Sequence, residues 1–241
     1  MLIVTTPYSR RGASLLSTVS EIAALVRAVG YAFKPALEPE KSAVEIAHLL
    51  GTIANIGSGT AHPIVPKARH QSTPNSYSGI FGTERFPPHT DLAHWREPPR
   101  YVVLRCTKGY REVTTNLIDG TQVLREVDDE AIARAIVQPR RPQKGLVPMF
   151  KLYRSTSTGV GLLRWDENFL RPANQTGAIA MAMFKEALDV APTISVALCN
   201  YGDTLIFDNW RMLHSRGEVP AACMNRKIER IYLEAQFEAN D

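Results

Sequence analysis

The tripeptide His89-Thr90-Asp91, inside FPPHTDLAHW, puts an imidazole and a carboxylate two residues apart. In an extended backbone, side chains at i and i+2 leave the chain on the same side, so these groups would converge on one point, and a divalent metal ion is the natural occupant. Alone, the pattern is common, and a structural or surface pair is the better reading of it. A second cluster lies far downstream. There GDTLIFDNWRMLHSRGEV delivers His214, and NRKIERIYLEAQF carries Arg226 and Arg230 with Ile228 between them. On a strand, positions 226, 228 and 230 share one face, so two guanidinium groups would point inward beside an apolar residue. An unpaired buried cation is strongly unfavourable, and inward arginines persist where carboxylates or similar anions meet them.

Such residues need a frame. Helical spacing of apolar residues from Ser17 to Val29, stopped by Gly30, predicts a helix followed by a short strand over Tyr31 to Leu37. A second helix is predicted from Ser42 to Leu50. Between Asn55 and Pro88 the composition turns to Gly, Ser, Thr, Pro and His, which predicts irregular structure of the kind that often carries function. Strands are expected at Tyr101 to Cys106, Val113 to Ile118, Met149 to Tyr153, Gly161 to Trp165, Thr193 to Leu198, Thr204 to Phe207 and Ile228 to Phe237. Helices at Asp128 to Ile136 and Gln175 to Ala191 interrupt them, the latter with the stripe Ile179, Met183, Leu188. Many short strands between turn signals imply a sandwich or barrel, with the helices as external buttresses. The expectation is an α+β protein built on a jelly roll (double-stranded β-helix), with a helical N-terminal part over about 1–55, a core over about 86–241, and one domain across 1–241.

The bulk composition narrows the class. Of 241 residues, 44% are hydrophobic and 22% charged, ordinary for a globular protein. Lys and Arg number 28 against 24 Asp and Glu, a formal +4, but the basic residues are scattered rather than gathered on one face, so no nucleic-acid partner is expected. Cys106, Cys199 and Cys223 cannot all pair and lack zinc-like spacing, which fits a reducing cytoplasm. The opening MLIVTTPYSRRG has its basic residues after its apolar run, the reverse of a signal peptide, and no apolar stretch reaches the roughly 18 residues of a membrane span. Oligomeric state is not legible.

Taken together, His-X-Asp, a distal His in a D-N-x-R-x-x-H segment and an R-x-x-x-R strand after it resemble the taurine dioxygenase and clavaminate synthase-like group of Fe(II)/2-oxoglutarate oxygenases. The likeness runs from about Phe86 to Phe237 and is nearest to short members typified by carbapenem synthase. A Thr-Thr step in REVTTNLIDG (Thr114-Thr115) falls where such enzymes place a threonine against 2-oxoglutarate.

The resemblance implies that His89, Asp91 and His214 hold Fe(II), with open positions for a chelating 2-oxoglutarate and for O2. It implies that an arginine clamps the cosubstrate's distal carboxylate, and Arg226 is the choice because a planar donor fork matches a carboxylate. Thr115 would add a hydroxyl there, although strand register does not separate it from Thr114. Arg230 falls where relatives anchor an acidic group of the primary substrate; a carboxylate partner such as Asp208 or Glu234 is the competing reading. Asp208, Asn209 and Arg211 stand close enough in sequence to tune the ligands. Trp95, Trp165 and Tyr77 are pocket walls or plain core. His62, His70 and His94 lack partner spacing and are not counted as ligands.

The implied reaction decarboxylates 2-oxoglutarate to succinate and CO2 and oxidises a substrate C–H bond, with hydroxylation first and ring closure, desaturation or epimerisation as alternatives. Arg230 and the family's habits suggest a small carboxylate-bearing metabolite, an amino acid derivative or natural-product intermediate. Two competing classes are a jelly roll that binds without turnover and a zinc hydrolase; the latter would want a general base and no inward arginine.

Overall fold

The computed structural model describes residues 8–57, 59–142, 145–155 and 161–236. The opening residues read against a signal peptide, and Phe237 at the end of the last predicted strand, lie outside them. In chain order the elements begin with α1 (Tyr8–Val29), β1 (Tyr31–Lys34), α2 (Ala43–Leu50), β2 (Gly51–Ile53), β3 (His62–Ile64), α3 (Tyr77–Phe81), β4 (Tyr101–Lys108) and β5 (Thr114–Asp119). There follow α4 (Gly120–Leu124), α5 (Asp129–Arg134), β6 (Ile136–Pro139), β7 (Phe150–Lys151), β8 (Tyr153–Ser155), β9 (Gly161–Leu163) and β10 (Leu170–Pro172). The chain closes with α6 (Gln175–Val190), β11 (Ile194–Ala197), β12 (Thr204–Asp208), β13 (Met212–Arg216) and β14 (Lys227–Gln236).

Local chemistry sets several boundaries. Ser42 opens α2 through a capping box: its hydroxyl accepts from the Glu45 amide at 3.2 Å, and Glu45 accepts the Ser42 amide at 2.9 Å. Gly30 ends α1 at φ +87°, a conformation that other residues enter at a cost, and a side chain there would strike Met212.

Two antiparallel sheets form the jelly roll. The larger runs β1-β12-β4-β14-β2, with β3 also paired to β14, and the smaller runs β11-β5-β13. Between them lie Leu104, Leu117, Leu198, Leu205, Phe207, Met212 and Ile228. The outer face of the larger sheet is covered by α1 and α2 through Ile22, Val26, Ile46 and Leu50 packed on Val103, Ile206 and Ile231. A separate cluster around Trp165 and Phe184 joins α4, α5 and α6 to the smaller sheet. The expected helical buttresses are therefore present on both sides.

The stretch expected to be irregular, 55–88, holds a strand and a helix that composition did not signal. Strand β3 is three residues long and exists because Ile64, Pro63 and His62 find Ile228, Glu229 and Arg230 across from them. Helix α3 is capped by the Ser76 hydroxyl, which accepts from the Gly79 amide at 3.1 Å. Strand β13, which carries His214, also went unpredicted, its five residues being bounded by Trp210-Arg211 and Gly217 rather than by a clear turn signal.

Candidate metal centre and cosubstrate pocket

His89 does not belong to a long strand. It meets β13 at a single antiparallel bridge, where His89 and His214 exchange both backbone hydrogen bonds, at 3.0 and 2.9 Å. Residues paired this way sit directly opposite one another, and their rings come to 4.3 Å between centroids. Asp91 is fixed by Asn209, whose side-chain oxygen accepts the Asp91 amide at 2.7 Å while its amide group donates to the Asp91 carbonyl at 3.0 Å. Thr90 ties the segment to Trp165, and the buried Arg164 guanidinium donates to the carbonyls of Ala93, Trp95 and Arg96 just beyond. The chain then turns away at Leu92, at φ +55°.

The outcome is a tight donor set. One ligand atom each from His89, Asp91 and His214 lies within 4.8 Å of the other two. The His89 and His214 Nε2 atoms are each 3.7 Å from an Asp91 carboxylate oxygen. His89 Nδ1 donates to the Pro87 carbonyl at 3.0 Å, which orients the ring with Nε2 toward the centre. Burial works against the Asp91 charge, but Arg230 and the two imidazoles overcome it and hold the carboxyl well below its usual range. Burial, aided by the neighbouring His89, pushes His214 down to about 3. An anionic Asp91 beside a neutral His214 is the protonation state that a cation needs. Two imidazoles and one carboxylate suit a first-row divalent ion with open positions, so the residues fit Fe(II).

The centre opens into a cavity of about 990 Å³ whose walls include Tyr77, Thr115, Asp166, Arg226, Arg230 and Tyr232. Arg226, Ile228, Arg230 and Tyr232 all line it, the last three by the alternation of β14 and Arg226 from the residue just before that strand. Arg226 is 3% exposed, its Nε has no hydrogen-bond partner, and burial pushes it down to about 10. Among the described residues no carboxylate pairs with it. A buried guanidinium with an orphaned donor is the expected cradle for an anion such as a 2-oxoglutarate carboxylate. Thr115 is buried and lines the same cavity, whereas Thr114 does not, which resolves the register ambiguity.

Arg230 has a different partner from those expected. It pairs with Asp91, at 2.9 and 3.2 Å from its two oxygens, and with neither Asp208 nor Glu234. Its Nε remains without a partner. Of the three residues proposed to tune the ligands, only Asn209 touches one: Asp208 pairs with Arg100, and Arg211 with Asp119. Tyr77 is a true wall, stacked on His89 at 4.0 Å between centroids, while Trp165 is core against Phe184 and Trp95 does not reach the cavity.

Among the lining residues that sequence reasoning missed are Tyr232, Asp166 and Arg216. Tyr232 continues the 226, 228, 230 face by one step, so alternation alone could have found it. Asp166 is 3% exposed and accepts the Asn168 and Phe169 amides at 2.9 and 3.0 Å; nothing in its neighbourhood in sequence marks it. Arg216, two residues after His214, stacks over Phe86 at 3.7 Å and donates to the carbonyls of Gly82 and Glu84.

Comparison with known proteins agrees with this geometry. Residues 16–232 match the family model described as taurine catabolism dioxygenase TauD, TfdA family. An asparagine oxygenase solved with Fe(II), 2S,3S-3-hydroxyasparagine and succinate superposes with TM-score 0.67 at 16% identity, covering 92% of this chain and 79% of that one. The non-heme iron oxygenase OrfP in complex with Fe gives 0.63 at 15% identity, covering 95% and 86%. A taurine dioxygenase from Burkholderia xenovorans gives 0.63 at 18%, covering 90% and 81%. No helix among the described residues is long and apolar enough to cross a membrane. With the jelly roll, the His-Asp-His centre and the matched family model in agreement, the chain belongs to the TauD/TfdA family and is an Fe(II)- and 2-oxoglutarate-dependent dioxygenase.

Proposed function

We propose that this enzyme hydroxylates an unactivated C–H bond of a small metabolite carrying a carboxylate, of the amino acid or amino acid derivative class. His89, Asp91 and His214 hold the iron on one face. Arg226 and Thr115 receive the distal carboxylate of 2-oxoglutarate, and the unpartnered Nε of Arg226 is the single observation that carries this reading. With 2-oxoglutarate and O2, Fe(II) supplies the oxidant for C–H cleavage, and succinate and CO2 are the coproducts.

The chain's own groups select and hold the substrate. Arg230 offers its free Nε to the substrate's anionic end while its Nη1 stays on Asp91. Asp166, a buried carboxylate with no cationic partner among the described residues, faces the same cavity and suits an ammonium group. Tyr77 packs over His89 and keeps water from that side. Similar structures solved with hydroxyasparagine and with (3S)-hydroxy-L-Arg support the amino acid class. The free thiols of Cys106, Cys199 and Cys223 support a reducing compartment.

The test is anaerobic addition of Fe(II) and 2-oxoglutarate, which should give a visible charge-transfer band that is lost in His89→Ala and His214→Ala. Succinate release across amino acids and their derivatives then identifies the substrate. An intact protein that gives no band refutes the proposal.

A further inference from the structure

The Asp91 carboxylate is contacted unevenly. Its Oδ2 receives the Tyr232 hydroxyl at 3.0 Å and Arg230 Nη1 at 2.9 Å, whereas Oδ1 receives only the longer 3.2 Å reach of that same Nη1. Tyr232 is 3% exposed, and its hydroxyl faces a carboxylate oxygen that can only accept, so it acts as a donor. Its direction is set by β14, where Tyr232 lies opposite Val102 of β4 and shares the inward face with Arg230 and Ile228. The main chain of Asp91 is locked independently by Asn209 at both its amide and its carbonyl. The carboxylate therefore has little freedom to rotate.

A carboxylate can bind a cation through one oxygen or through both. A facial set of two imidazoles and a one-oxygen carboxylate leaves three positions of an octahedron open, enough for a chelating cosubstrate and dioxygen. A two-oxygen carboxylate would leave only two. Two short donors on Oδ2 occupy the lone pairs that the second contact would need.

We infer that Tyr232, acting with Arg230, is a positioning residue that makes Asp91 a one-oxygen ligand and so keeps open the third position, the one dioxygen needs once the cosubstrate has chelated. The inference rests on the metal-site reading above. It concerns a residue two steps beyond the arginine pair, one that touches neither cosubstrate nor substrate in this role.

The experiment compares wild type and Tyr232→Phe, which removes one oxygen and keeps the ring. Fe(II) affinity is measured anaerobically without 2-oxoglutarate, 2-oxoglutarate affinity is measured on the metal-loaded protein from the charge-transfer band, and O2 is then admitted and the rate at which the band bleaches is recorded. We expect the O2 bleaching rate to fall on the order of tenfold, a usual size for loss of a group supporting a ligand, with 2-oxoglutarate affinity retained and Fe(II) affinity unchanged or tighter. Thermal melting of the metal-free variant checks folding. Arg230→Met, which keeps the apolar stem and removes the Nη1 donor, provides a second variant, expected to show the same split. An unchanged O2 bleaching rate in folded Tyr232→Phe overturns the inference, and so does a parallel loss of Fe(II) and 2-oxoglutarate affinities, the signature of a merely structural role. Should Tyr232→Phe fail to fold, the same two criteria apply to Arg230→Met. Absence of the band in wild type would instead refute the metal-site reading, so the two failures are distinguishable.

Discussion

His89 and His214, distant in sequence, are bound to each other through both their peptide groups, so the two imidazoles meet because two backbones are paired. The side chains contribute little to that pairing, since His214 Nδ1 has no hydrogen-bond partner. The rings are thus available to the metal without being needed to hold the loop.

For this reason His214→Ala should remove metal binding while leaving the fold. We expect Fe(II) affinity to drop by two orders of magnitude or more, on the order of the loss for a ligand rather than a supporting group. Circular dichroism of the metal-free variant should match wild type; a collapsed spectrum would mean that the ring is structural.

Arg226 is a buried cation without a carboxylate partner, so its removal should cost the metal-free protein nothing. Arg226→Ala is expected to melt at the same or a higher temperature than wild type, yet to lose most of the stabilisation that saturating 2-oxoglutarate and Fe(II) confer. Retention of that ligand-induced shift would move the clamp elsewhere.

Asn209 makes three hydrogen bonds that hold the Asp91 backbone and the Pro99 carbonyl. Asn209→Ala leaves those buried groups unsatisfied, at about 1–3 kcal/mol for a group. Denaturant titration should show that loss together with about 10–100-fold weaker Fe(II) binding. Normal metal affinity in the variant would refute a positioning role for this side chain.

Removing the metal should not unfold the protein. Arg230 and Tyr232 already satisfy the Asp91 carboxylate, so a chelator should lower the melting point only by the linkage between binding and folding. Loss of secondary structure on chelation would contradict this.

The Asp119–Arg211 pair, at 2.6 Å, gives an acid-sensitive contribution. Burial raises the Asp119 carboxyl, but bonds from Arg211 and Thr121 outweigh it and leave the group below its ordinary value. A depressed carboxyl stabilises the fold above its unfolded pKa of about 3.9, and the contribution is lost as pH falls through the folded value. Asp119→Asn should therefore be less stable than wild type at pH 7, with the gap closing toward pH 3. An equal gap at both pH values would show that the charge is not what matters.

The chemistry is legible in the order of residues. His89, Asp91 and His214 were legible as a metal set once four ordered motifs resembled one family, and the inward face of 226, 228 and 230 followed from the two-residue period of a strand, which is a local rule. Helices α1, α2 and α6 were legible for the same kind of reason, because apolar periodicity over several turns needs no distant partner. The remainder depends on contacts between segments far apart in the chain. Strand β3 and the His89 bridge exist through partners from the end of the chain, and short segments carry no local signal of such pairing. Arg230 settled on Asp91 rather than Asp208 or Glu234, and Asp166 entered the cavity, because burial makes each charge's partner a matter of distance in space, which the order of residues does not encode.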